Sequence, residues 1–365
     1  MPSDPLPPDT LRPLLFRGRG AVSRPDGRFE SQCREACDDG WGSLEEAPAV
    51  PRTELRVDRA RSIISRNDSP DIPFTQSINP YRGCEHGCTY CYARPTHSYL
   101  GLSAGLDFET KIAWKADAAT LLRRELGARN YRCSPIALGM NTDAWQPVER
   151  DLGVTRAILE VLVECRHPVM IVTKGALIER DFDLLADLAR DHLVEVSFSI
   201  TTLDRKLARA MEPRAAAPQR RIELLRELAA LGVPCGVLFA PLIPALNDHE
   251  LETVFEAAHA AGARHAGIGL LRLPHELAEV FPAWLAQHAP DRAGHVISIL
   301  RQMRGGQASD SQFGRRMQGS GVFAELYARR ARLAIERLGL NQAHRQLNTH
   351  AFRPPRANPR QGELF

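Results

Sequence analysis

The chain has 365 residues, 44% hydrophobic and 25% charged, with a net charge of +3. That length supports one large domain with a full core plus appendages. No apolar run reaches the roughly eighteen residues of a membrane span, eight cysteines are too sparse for a disulfide framework, and the polar, Pro-rich start is not a signal peptide, so a cytoplasmic protein is expected.

In chain order, residues 1–50 mix Pro, Gly and charge without period and are expected to form an irregular N-terminal extension. A core follows over 51–290. Its first strand leads into Pro80, and short apolar runs at 136–140, 168–173, 193–200, 234–242 and 265–271 predict five more. Amphipathic stretches at 116–126, 155–165, 182–190, 219–231 and 248–261 predict the helices between them. Alternating strands and helices imply an α/β fold with a parallel sheet, either a barrel or a doubly wound sheet. Beyond it, 291–340 reads as a helical extension, with helices at 296–303 and 322–338, and 341–365 as a flexible basic tail.

The chemistry concentrates in Cys84-Glu85-His86-Gly87-Cys88-Thr89-Tyr90-Cys91. Three closely spaced thiols can hold three irons of a [4Fe-4S] cube and leave the fourth iron open for a ligand. Zinc is the competing reading. Structural zinc sites close four ligands, usually as two separated pairs, and no second pair follows here. Cys33 and Cys37 form a lone C-x3-C upstream, and His86 is the remaining candidate for a fourth ligand.

Cys-x3-Cys-x2-Cys with Tyr90 before the last cysteine resembles the signature of the radical S-adenosylmethionine superfamily. The longer strings Asn79-Pro80-Tyr81-Arg82-Gly83-Cys84, Cys91-Tyr92-Ala93-Arg94-Pro95-Thr96-His97, Gly105-Leu106-Asp107-Phe108-Glu109-Thr110-Lys111 and Asn141-Thr142-Asp143-Ala144-Trp145-Gln146-Pro147-Val148-Glu149 resemble its branch related to spore photoproduct lyase, a DNA repair lyase. The resemblance implies a partial (βα)6 barrel, a [4Fe-4S] cluster on Cys84, Cys88 and Cys91, and S-adenosylmethionine bound at the open iron. It also implies a reducing partner such as flavodoxin or ferredoxin.

Functional groups of a parallel barrel gather at the carboxyl ends of its strands. There the resemblance places Asn141 or Asp143 on the amino group of the cofactor, Lys174 at the end of strand three, Ser199 beside ribose or carboxylate, Arg214 on the carboxylate and Tyr90 near the adenine. Cys133, just before strand two, is a candidate hydrogen donor to a product radical, its alternative being a small buried hydrophobe.

Partners are read from the C-terminal third. Residues 301–360 hold twelve arginines against Asp310, Glu325 and Glu336, an electrostatic footprint suited to nucleic acid phosphates or, alternatively, a solvated helix face. The closing Gln361-Gly362-Glu363-Leu364-Phe365 resembles the peptides by which repair proteins dock on the sliding clamp. Three functions stay open: a radical enzyme acting on a nucleic acid lesion or base, one acting on a protein or small metabolite, and a non-catalytic iron-sulfur protein.

Overall fold

A computed structural model describes residues 18–30, 51–342 and 346–355. Val169, Ile171 and Thr173 are buried while Met170 and Val172 are half-covered, the period of two that a strand imposes. Among the described residues ten strands form: β1 (Glu54–Val57), β2 (Ile64–Arg66), β3 (Gln76–Ile78), β4 (Tyr81–Arg82), β5 (Lys111–Trp114), β6 (Ile136–Leu138), β7 (Val169–Thr173), β8 (Val194–Ser199), β9 (Cys235–Leu242) and β10 (His265–Leu270). Seven make one sheet in the order β10-β9-β8-β7-β6-β3-β2. Six of these run parallel, and β2 pairs antiparallel with β3 at the edge.

The register lines up Ile78, Leu138, Ile171, Val196 and Cys235 across five adjacent strands, all buried. Parallel neighbours need crossover connections, and the helices Ala118–Leu126, Val154–Glu164, Phe182–Arg190, Pro218–Ala230 and Leu251–Ala260 supply them. Asp204 starts the short helix Arg205–Met211 by accepting from the backbone N–H of Lys206 at 2.7 Å and Leu207 at 3.3 Å. Pro218 occupies the first turn of the next, where its missing N–H costs nothing. The architecture is the expected partial six-stranded barrel. A small sheet, β1-β5-β4, and the edge strand β2 lie outside what hydrophobic runs indicated, because all four strands are short and β1 is wholly exposed.

Beyond the sheet a helix, Leu277–His288, falls inside the expected core range, and the chain after it is helical, as expected, in Pro290–Gln302 and Val322–Arg337. The arginines of the last one are partly neutralised by the helix beneath it: Arg330 clamps Glu252 at 2.9 and 2.6 Å, and Arg337 pairs with Glu256. Part of the presumed basic tail is likewise built in. Phe352 packs against the rings of Tyr131 and His167, and the Arg353 N–H donates to Cys165 at 2.8 Å. No helix among the described residues is long and apolar enough to cross a membrane.

Candidate active site

The cysteine loop leaves β4 at Gly83, whose φ of +84° belongs to the left-handed region and whose added Cβ would lie 2.8 to 2.9 Å from Ile112, His97 and Phe108. From there nearly every loop residue is tied to a different element. The Glu85 N–H donates to Gln146 at 2.8 Å, and Gln146 donates back to the Gly83 carbonyl at 3.2 Å. The Glu85 carboxylate takes Arg214 at 2.7 Å and the Thr53 hydroxyl. The His86 ring lies 3.4 Å from Asp143. The Thr89 N–H donates to Met211 at 3.0 Å.

Arg94 closes the loop from below. It is fully buried, donates to the carbonyls of Cys88, Gly87, Ala104 and Gly105 at 2.8 to 3.1 Å, and pairs with the equally buried Glu109. Glu109 also accepts from the N–H groups of Gly20 at 2.9 Å and Ala21 at 2.8 Å, which straps residues 19–21 against the loop. A Cβ at Gly20 would sit 1.9 Å from the Gly87 carbonyl oxygen. Gly20→Ala should therefore release this strap: trypsin cleavage at Arg24 and Arg28 accelerates roughly ten-fold or more on loss of two buried hydrogen bonds, and unchanged cleavage would contradict the packing.

His97, also fully buried, donates through Nε2 to the Lys111 carbonyl at 3.0 Å, while Nδ1 has no partner. Burial pushes its pKa down to about 4, with Arg94 and Lys111 adding to the effect. The unfolded chain takes up this proton near pH 6.5 and the folded chain only near 4, so stability is full above pH 6.5 and is lost on acidification. Urea unfolding of the apo chain should show a loss of about 2 kcal/mol from this group between pH 7 and pH 5. His97→Gln should flatten that slope, and equal slopes would refute the assignment.

With Glu85, His86 and Tyr90 committed, the loop is left with three thiols and the unpartnered hydroxyl of Thr89. Cys84, Cys88 and Cys91 are free and close enough to repel one another as thiolates. Burial pushes Cys84 well up and Cys88 to about 12, which keeps them neutral in the bare chain; a bound metal reverses that balance. Among the described residues no three His, Cys, Asp or Glu side chains converge on one point to hold a single ion. A cube instead takes its thiolates on three separate irons, which sets them further apart.

The strand ends surround this loop. Asp143, expected on the cofactor, accepts from the Trp145 N–H at 2.9 Å, the Thr173 hydroxyl at 2.8 Å and the Lys174 N–H at 2.7 Å. Burial alone would raise its pKa, but His86 and these donors outweigh it and hold it at about 2. Arg214, expected on a cofactor carboxylate, is engaged by Glu85. Ser199 is buried and donates to the Ala240 carbonyl at 2.9 Å, and Asn141 is exposed, its N–H on Asn79 at 2.9 Å. The Lys174 ammonium lies 5.7 Å from the Tyr90 ring centre.

Tyr90 anchors a buried network that sequence reasoning missed. Its hydroxyl meets Glu212 and lies 3.1 Å from Thr201; Thr201 reaches Glu212 at 2.6 Å, and Arg221 pairs with the other oxygen of Glu212. Arg221 also donates to the carbonyls of Ser199 and Ala216 at 2.8 Å. Glu212, Arg221, Arg94, Glu109 and Gln146 carry the loop, and of these only Arg221 lies outside the strings, Met211-Glu212-Pro213-Arg214 among them, that resemble family elements.

Cys133 requires a correction. It precedes β6 and so lies at the amino end of the sheet, beside Tyr131, whereas the cysteine loop lies at the carboxyl end. A hydrogen donor must face the cofactor, and this thiol is on the wrong end of the barrel. Cys33, Cys37 and residues 361–365 lie outside the described residues.

A family model described as the Radical SAM superfamily matches residues 78–258. An uncharacterized protein of Mycobacterium bovis is 36% identical over 233 residues, covering 63% of this chain and 68% of its own length. The chain belongs to the radical SAM superfamily. Its members use a [4Fe-4S] cluster and S-adenosylmethionine, and the chain is an enzyme of that chemistry. An uncharacterized protein of Methanocaldococcus jannaschii is 28% identical over 199 residues, covering 54% of this chain and 71% of its own. Among solved structures, a spore photoproduct lyase mutant superposes with a TM-score of 0.57 at 16% identity, covering 78% of this chain and 79% of that one. The same lyase complexed with dinucleoside spore photoproduct gives 0.56 at 16% identity over the same shares. At this identity the likeness is one of fold.

Proposed function

We propose that Cys84, Cys88 and Cys91 bind the [4Fe-4S] cluster of this radical SAM enzyme, and that its substrate is a nucleic acid lesion or base. The observation that carries the first half is the division of labour in the loop. Glu85, His86 and Tyr90 are held by Arg214, Asp143 and Glu212, and the Thr89 hydroxyl, which has no partner, is a hard oxygen, which leaves the three thiols as the soft donors that suit iron-sulfur. They fit a cube with one open iron.

When bound, the cluster and S-adenosylmethionine supply a 5′-deoxyadenosyl radical that abstracts hydrogen. The chain's own residues orient and enclose. Lys174 offers a cation beside Tyr90 for the cofactor carboxylate, and Asn141, exposed at the end of β6, offers an amide to its amino group. The Ser199 hydroxyl oxygen keeps acceptor capacity for a ribose hydroxyl after donating to Ala240. Tyr90 borders the adenine. Asp143 and Arg214 act through His86 and Glu85 as positioning residues, since their charged groups are already engaged.

Support for a nucleic acid comes from the fold shared with spore photoproduct lyase, which is known in complex with a dinucleoside, and from arginines such as Arg301, Arg329 and Arg332 that remain exposed in the C-terminal segment. A flavodoxin or ferredoxin would supply electrons, and the Gln361 to Phe365 peptide would tether the enzyme to a sliding clamp. Crosslinking the anaerobic protein in cells tests the substrate class: nucleic acid should be caught, and capture of polypeptide alone would turn the reading to a protein substrate.

A further inference from the structure

Four large aromatic side chains stand in the solvent around the carboxyl end of the barrel, where apolar surface ordinarily has no reason to be left. Tyr99 is 68% exposed, Phe313 61%, Phe29 58% and Tyr92 42%. Each lies against an arginine. Phe29 and Tyr99 stack with ring centres 5.2 Å apart, and the Arg28 guanidinium lies 5.4 and 5.8 Å from them. Arg272 lies 4.8 Å from the Tyr92 ring, and Arg316 4.6 Å from the Phe313 ring.

The three groups form one band. The segment 271–276 after β10 runs through it: Arg272 covers Tyr92, and Glu276 grips Arg28 at 2.7 Å and the Ser98 hydroxyl, next to Tyr99, at 2.9 Å. On the other side Arg304 ties the Leu271 carbonyl to those of Arg315 and Arg316, beside Phe313. The Tyr92 hydroxyl donates to the Met140 carbonyl, so the band borders the strand ends that face the cysteine loop.

Charge along the band is unbalanced at its middle. Arg28 has Glu276 and Arg316 has Asp71, which fix both guanidiniums in place. Arg272 forms no ion pair among the described residues, and burial together with the nearby Arg316 disfavours its charge. Arg304 beneath is 2% exposed, bound only to carbonyls, with its Nε lacking an acceptor. A positive centre flanked by exposed rings matches an unpaired polynucleotide, whose phosphates need cations and whose bases present faces to stack. A duplex keeps its bases stacked inside and could use only the cations.

We propose that Phe29, Tyr99, Tyr92 and Phe313, with Arg272 at their centre, form a stacking platform that holds an unpaired stretch of nucleic acid across the mouth of the barrel. This rests on the nucleic acid reading above and names the form of the substrate. Bases bound there lie along the rim of the site, so a strand opened around the target is held while one nucleotide enters.

The test is fluorescence anisotropy of the reconstituted full-length protein with labelled single strands of DNA and of RNA about a dozen nucleotides long, and with the matching duplex. Single strands should bind more tightly than duplex. Tyr99→Ala and Phe313→Ala should each weaken single-strand binding by roughly ten-fold, while Tyr99→Phe, which keeps the ring, binds as the parent does. Arg272→Gln should lower the slope of log affinity against log salt by roughly 0.7, one phosphate contact on a single strand. Iron content and melting temperature matched to the parent show that each variant is folded. Nucleic acid binding that is unmoved by all these substitutions, or that favours duplex, overturns the platform and leaves the substrate reading standing. Absence of binding to any nucleic acid overturns both.

Discussion

Alanine at any one of Cys84, Cys88 or Cys91 should strip the chain of its iron-sulfur chromophore. Each thiol holds one iron of the cube, and the loop has nothing to replace it: Glu85, His86 and Tyr90 are bound to Arg214, Asp143 and Glu212. Cys133 cannot substitute from the amino end of β6. Iron and sulfide analysis after anaerobic reconstitution reads the result. About four irons per chain are expected in the parent and a small residue in each variant, whereas Cys33→Ala and Cys37→Ala should keep the full complement. Full iron in all three loop variants would remove the site from this loop.

The second large effect is expected one layer away. Arg221→Met leaves Glu212 buried without its cation, and breaking a buried pair by removing one partner costs about 3–5 kcal/mol. Burial by itself would raise the pKa of Glu212; Arg221 and then Lys174 bring it down to about 2. Urea unfolding of the apo chain at neutral pH should show the loss directly. The double variant Arg221→Met with Glu212→Gln should recover part of it, because no charge is then stranded. Since Glu212 also holds the Tyr90 hydroxyl, the single variant should retain cluster poorly despite intact cysteines. A loss within 0.5 kcal/mol, the size usual for surface changes, would mean that the network does not support the loop.

Much of the scaffold was legible because one signal repeats. Runs such as 169–173 and 194–199 bury one face under the helices and half-cover the other, and their boundaries match the apolar runs to within a residue or two. The small strands escaped because two to four residues carry no period, and β1 buries nothing. The three thiols stand out by spacing alone. Their support does not, because nothing in the sequence pairs Arg94 with Glu109 or Arg221 with Glu212, and only the fold brings them together as buried ion pairs. For the same reason Asp143 and Arg214 were placed on the cofactor: the sequence locates them at the mouth of the barrel, and their protein partners appear only in three dimensions. Cys133 shows the converse error. Proximity to a strand in sequence does not say which end of the sheet a residue occupies.

The most direct measurement is the release of 5′-deoxyadenosine when the reconstituted, reduced protein is given S-adenosylmethionine. The parent should form it together with methionine, and the Cys84, Cys88 and Cys91 variants should not. A parent that carries a full cluster and yet leaves S-adenosylmethionine uncleaved would contradict the assignment of this loop as a radical-generating site.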